Sequence, residues 1–158
     1  MPQLTIPCKP HVKNFLENSF GVPADLSLDY NINKTFLLLI NRKTNRNEKR
    51  SSSPGYGKKV YRETVTIEVE EKYMPENPNK ISKKAIQDFS IFVEGYIKSM
   101  ARIFIFICEK FGMKRMEAIR EFQQTFGFSN ELFPENNILQ DLKRNGAETK
   151  KLISKEKK

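Results

Sequence analysis

From Ile86 to Phe111 apolar residues return every three or four positions: Ile86, Phe89, Val93, Ile97, Met100, Phe104, Cys108 and Phe111. That spacing follows the turn of an α-helix and predicts one amphipathic helix of about eight turns. Ser82 is placed to cap its start and Gly112 to stop it. A helix this long in a chain of 158 residues organises everything else, because each shorter element must bury its apolar face against it or against a neighbour that does. Ile91, Ile103, Ile105 and Ile107 add apolar surface off the main stripe. The segment 82–111 is therefore expected to be contacted on more than one side, or to form the surface of a homo-oligomer.

Around it the chain reads as α+β, mainly α, with a three-helix C-terminal part. Val12, Phe15, Leu16 and Phe20 share one face of a short N-terminal helix that Gly21 and Pro23 bring to an end. Thr35–Ile40 is a continuous apolar run that suits a buried strand, and Val65, Ile67 and Val69 alternate with polar residues between Val60 and Glu71. These two strands are expected to form a β-hairpin joined by a long basic loop over about 42–59. After the long helix, Met116, Ile119, Phe122 and Phe126 predict a helix over 114–126 that stops at Gly127. Ile138, Leu139 and Leu142 predict another over Glu135–Arg144. The expected organisation is a single compact domain over 1–145 and a frayed basic tail over 146–158.

Charge is the feature with the most functional content. The chain carries a net +9, but the charge is not spread evenly. Between Arg42 and Arg62 eight basic residues (Arg42, Lys43, Arg46, Lys49, Arg50, Lys58, Lys59 and Arg62) face one glutamate, a net +7. The segment from Asp141 onward holds +4, which leaves the rest of the chain at −2. Clustered lysine and arginine neutralise phosphates and release counterions, and the serines, asparagines and glycines among them add phosphate hydrogen bonds and close backbone approach. Tyr56, in the same run, can stack on a base. DNA is thus the expected partner, held by a basic loop on a projecting ribbon.

The C-terminal pair of helices, separated by a short connection, has the outline of a helix-turn-helix-like unit, whose second helix would enter the major groove. Asn136, Asn137, Gln140, Lys143 and Arg144 are the side chains it could offer to base edges, asparagine and glutamine to adenine and arginine to guanine. The run Met116–Arg144, with its aromatic-Gly pair at Phe126-Gly127, its Ser-Asn-Glu turn at Ser129–Glu131 and its final basic helix, resembles the C-terminal part of small DNA-associated proteins from phages and conjugative elements of the Bacteroidetes. That resemblance implies a mobile-element setting and a DNA transaction; it assigns no catalytic residue.

Chemistry other than binding finds less support. Glu70-Glu71-Lys72 has the carboxylate-lysine form that metal-dependent nucleases place on a strand, but only Asp25 and Asp29 offer themselves as a further acid. Cys8 and His11 are the start of a metal-ligand spacing, with no second histidine to complete it. No phosphate-cradling glycine loop or nucleophile elbow is present. No enzyme activity, cofactor or metal is expected. Two widely separated cysteines point to a reduced, cytoplasmic setting, and Ile103–Cys108 is too short to span a membrane. The expected function is DNA binding as a regulator or accessory factor, with a virion or protein-interaction component and a metal-dependent nuclease as the alternatives.

Overall fold

A computed structural model describes residues 1–41, 61–77 and 81–155. The chain divides into two compact units, Met1–Val93 and Glu94–Lys158.

The first unit is built on two antiparallel strands, β1 (Gln3–Cys8) and β2 (Glu63–Glu68), with Leu4 opposite Ile67 and Ile6 opposite Val65. Leu4, Ile6 and Cys8 are buried and alternate with exposed neighbours, as a sheet with one dry face requires. The far edge of β2 is partly paired: the Ala24 N–H donates to the Thr66 carbonyl, and the Glu68 N–H donates to the Ala24 carbonyl. Thr66 and Glu68 therefore turn their amides away from β1, while Val65 and Ile67 turn theirs toward it. It follows that Leu4, Ile6 and Cys8 make the ladder, and Pro7 faces outward, where its missing N–H costs no ladder bond.

Helix α1 (Pro10–Phe20) opens with proline in its first turn and buries Val12, Phe15 and Leu16. It ends at Gly21, whose φ of 87° is open to glycine and strained for other residues. A 3-10 turn at Leu26–Leu28 leads to helix α2 (Tyr30–Ile40), and a second 3-10 turn at Glu71–Tyr73 follows β2. The core of this unit gathers Leu4, Ile6, Leu16, Phe36, Val65 and Ile67, with the Phe36 ring 5.0 Å from that of Phe89.

Helix α2 corrects the strand expected over Thr35–Ile40. The Asp29 carboxylate accepts from the backbone N–H groups of Asn31 and Ile32, which caps a helix before the apolar run begins. Ile32, Phe36 and Ile40 then fall on one buried face at steps of four. A second correction follows. The partner of β2 is β1, at the start of the chain, so the basic run does not join two strands of a local hairpin but lies between α2 and β2.

Helix α3 (Lys83–Lys110) is the long helix, and Ser82 Oγ accepts from the Ala85 N–H at its start. Its buried positions are Ala85, Phe89, Val93, Ile97, Ala101 and Ile105, with Ser90 and Phe106 beside them. Steps of four overshoot a full turn, so the buried line winds around the helix. That leaves Met100, Phe104 and Cys108 half-buried and Phe111 88% exposed, against the straight stripe expected.

The second unit adds α4 (Arg115–Thr125) and α5 (Glu135–Lys155) to the C-terminal part of α3. Phe104, Phe122, Phe126, Phe128 and Phe133 form a chain of ring contacts with centroids 4.8 to 6.1 Å apart. Arg102 of α3 reaches Asp141 of α5 at 2.7 Å, with both side chains largely buried, and Arg115 of α4 reaches Glu109 of α3 at 2.6 Å. Helix α5 continues past the stop expected at Arg144. Gly146 is a buried position inside the helix, not its end, and a Cβ there would lie 2.9 Å from the tip of the Phe106 ring. No described helix is long and apolar enough to cross a membrane.

Candidate nucleic-acid interface

In the second unit α4 and α5 are joined by the nine residues between Thr125 and Glu135. This connection is longer than the three- or four-residue turn of a helix-turn-helix. It is compact nonetheless. Ser129 accepts from the backbone of Leu132 and Phe133, Asn130 accepts from the Glu135 N–H, and the buried Gln123 amide donates to the Phe133 carbonyl at 2.7 Å. These bonds and the phenylalanine chain set the angle at which α5 leaves the turn.

Helix α5 buries Ile138 and Leu142 and exposes Asn136, Asn137, Gln140, Lys143 and Arg144. The five side chains singled out for base recognition thus share the solvent side of one helix. The nearby acids are occupied: Glu135 pairs with Arg120 and Asp141 with Arg102. Lys143 and Arg144 have no ion-pair partner among the described residues. The exposed row can therefore meet an anionic surface without first breaking internal bonds.

In the first unit an open groove of about 560 Å³ runs along the outer side of α2. Tyr30, Asn33, Lys34 and Leu38 line it from the helix, and Glu70 and Tyr73 from the segment after β2. Tyr30 is 72% exposed, Leu38 64% and Tyr73 40%. Each tyrosine ring has an ammonium over it, Lys34 at 5.5 Å from the Tyr30 centroid and Lys72 at 4.7 Å from that of Tyr73. Lys72 also pairs with Glu70 at 2.6 Å, and that hydrogen bond holds its ammonium above the usual lysine range. The Asn41 amide donates to the carbonyls of Leu37 and Tyr73 and ties the two walls together.

The strand expected over Thr35–Ile40 makes no such groove; the helix does. Read as a helix capped by Asp29, the same residues put Tyr30, Lys34, Leu38 and Asn41 along one side and Ile32, Phe36 and Ile40 along the other. The cap was the missed signal.

Of the residues expected in the basic loop, Arg42, Lys43, Arg46, Lys49, Arg50, Tyr56, Lys58 and Lys59 lie outside the described residues. Arg62 is exposed just ahead of β2. The run begins directly after Asn41, at one end of the groove's helix. Glu71 and Lys72 lie in the 3-10 turn beyond β2, not on the strand. Asp25 and Asp29 spend their carboxylates on backbone N–H groups. Among the described residues no group of three histidine, cysteine or acidic side chains could hold a metal ion. Cys8 is buried, and burial pushes its thiol up to about 12. No protein-family model, no curated protein and no solved structure matches this chain.

Proposed function

We propose that this chain binds nucleic acid, with DNA as its partner, and serves as a regulator or accessory factor of a phage or other mobile element. The observation that carries the reading is the net +7 gathered into the 21 residues from Arg42 to Arg62, against a net −2 over the chain outside that run and the C-terminal +4. A charge block of that density supplies phosphate contacts irrespective of sequence. The exposed row on α5 supports it, with two cations that have no ion-pair partner among the described residues, beside amides able to pair with adenine. The resemblance of Met116–Arg144 to proteins of Bacteroidetes phages and conjugative elements supplies the mobile-element part of the proposal.

The test is a mobility shift on single- and double-stranded DNA across a salt series. Binding should weaken steeply as salt rises. Reversing the charge of Arg46, Lys49, Arg50, Lys58 and Lys59 together should abolish it, and unchanged affinity in that variant would overturn the proposal. A second reading, self-association, is favoured by one feature of α3. Ile103, Ile107 and Phe111 follow one another at steps of four and are 45%, 44% and 88% exposed. Sedimentation of wild type and Phe111→Asp distinguishes a dimer through this stripe from a monomer.

A further inference from the structure

We infer that the groove between α2 and the Glu71–Tyr73 turn is a slot for the bases of single-stranded nucleic acid. The inference rests on the proposed function and adds to it the form of the ligand. Three features of the groove select that form.

Two aromatic rings, Tyr30 and Tyr73, line one open groove, Tyr30 largely and Tyr73 partly accessible, with Leu38 exposed beside them. Exposed rings grouped in one depression offer stacking surface, and a base of any identity has a face to stack. The bases of a duplex are stacked on one another and present only their edges in the grooves, so the rings would meet bases only in a single strand. At about 560 Å³ the groove falls within the range of roughly 300–1,000 Å³ that small-ligand sites occupy.

The second feature is charge. Lys34 and Lys72 each hold an ammonium over one of the two rings, so a base that stacks on either ring shares it with a cation and brings its phosphate close to that ammonium. Among the described residues Glu70 is the only carboxylate in the lining, and its pairing with Lys72 at 2.6 Å engages one of the two ammonium groups and leaves Lys34 for a phosphate. In sequence the +7 run follows immediately after Asn41, a lining residue. A basic peptide would be repelled by these ammonium groups, whereas a nucleotide, unlike an acidic side chain, joins a planar ring to every negative charge. A single strand satisfies both the rings and the cations.

The third feature is polar reading capacity. Asn33 lines the groove one turn along α2 from Tyr30, and its amide carries both donors and an acceptor. It is placed to bond a base edge without restricting the slot to one base.

Fluorescence anisotropy with a labelled oligo-dT of about twelve nucleotides, within the roughly 4–16 spanned by single-strand binding folds, tests this beside a duplex of equal length. Tyr30→Ala and Tyr73→Ala should each weaken single-strand binding about ten-fold and leave duplex affinity unchanged. Tyr30→Phe and Tyr73→Phe, which keep the ring, should retain it. Glu70→Gln, which removes the groove's carboxylate, should tighten the single strand. Wild-type single-strand affinity in the alanine variants, with an unaltered circular-dichroism melt, would overturn the slot, as would an equal loss on duplex. If charge reversal in the 42–62 run abolishes binding while the tyrosine variants bind normally, the slot is wrong and the wider proposal stands. If the charge-reversed protein binds as wild type does, the wider proposal falls, and the slot with it.

Discussion

Cys8 and Gly146 show how one side chain, or its absence, is governed by its surroundings. Cys8 ends β1 on the buried face, 2% exposed, and burial raises its thiol from 9.0 to about 12. A thiol protonated that strongly is a poor nucleophile. In native protein at pH 8, Cys8 should be silent to a disulfide reagent and react only on unfolding, and mass mapping of the labelled site checks this. The raised value also links to stability. Below pH 9 the thiol is protonated in both folded and unfolded chains and costs nothing. As pH climbs from 9 toward 12 the unfolded chain loses this proton first, so stability falls through that window. Cys8→Ala should therefore lose less stability than wild type between pH 8 and pH 10 in parallel urea titrations. At Gly146 the usual gain of about 1 kcal/mol from glycine to alanine inside a helix should be reversed. The new Cβ would lie 2.9 Å from the Phe106 ring, which is itself 8% exposed and has little room to retreat. Gly146→Ala is expected to lower stability by about 1 kcal/mol, and adding Phe106→Leu should recover part of the loss.

At the scale of elements, β1 and α2 are the informative pair. The ladder direction set by Ala24 leaves the backbone groups of Gln3 and Thr5 on the outer edge of β1, where no backbone bond from the described residues reaches them. Their amide protons should exchange fast while those of Leu4, Ile6 and Cys8 are protected, and exchange measured by NMR reads the alternation residue by residue. Uniform protection along β1 would contradict this register. Helix α2 depends on its cap. Asp29→Ala removes the acceptor for two backbone N–H groups and should cost about 1 kcal/mol in thermal unfolding. The same helix shows where a sequence reading stops. The run Phe36-Leu37-Leu38-Leu39-Ile40 satisfies a buried strand as well as a helix, because a continuous apolar run has no period to choose between them. Only the cap upstream decides, and with it the position of Tyr30 and Lys34. By contrast α3, α4 and the alternation of β2 were legible, since each repeats its pattern long enough to exclude the other period.

Over the whole molecule the governing quantity is the distribution of charge. For duplex DNA the slope of log affinity against log salt reflects the number of phosphates neutralised, about 0.9 per contact. Replacing Lys143 and Arg144 with alanine should lower that slope by up to about two if α5 contacts the backbone, and equilibrium titration at several salt concentrations checks it. The amino-acid sequence by itself determined the mainly helical α+β class, the ends of α3, the helical period of α4 and the basic run, because these are local: periodicity, caps and charge need no distant partner. Tertiary structure alone decided that β2 pairs with the first residues of the chain and that Gly146 lies beneath Phe106. It also decided that the buried line of α3 winds instead of running straight, and that Tyr30 and Tyr73 line one groove. Each of these joins residues far apart in the chain, or depends on which face a neighbour happens to cover, and no local pattern encodes which distant surface will arrive.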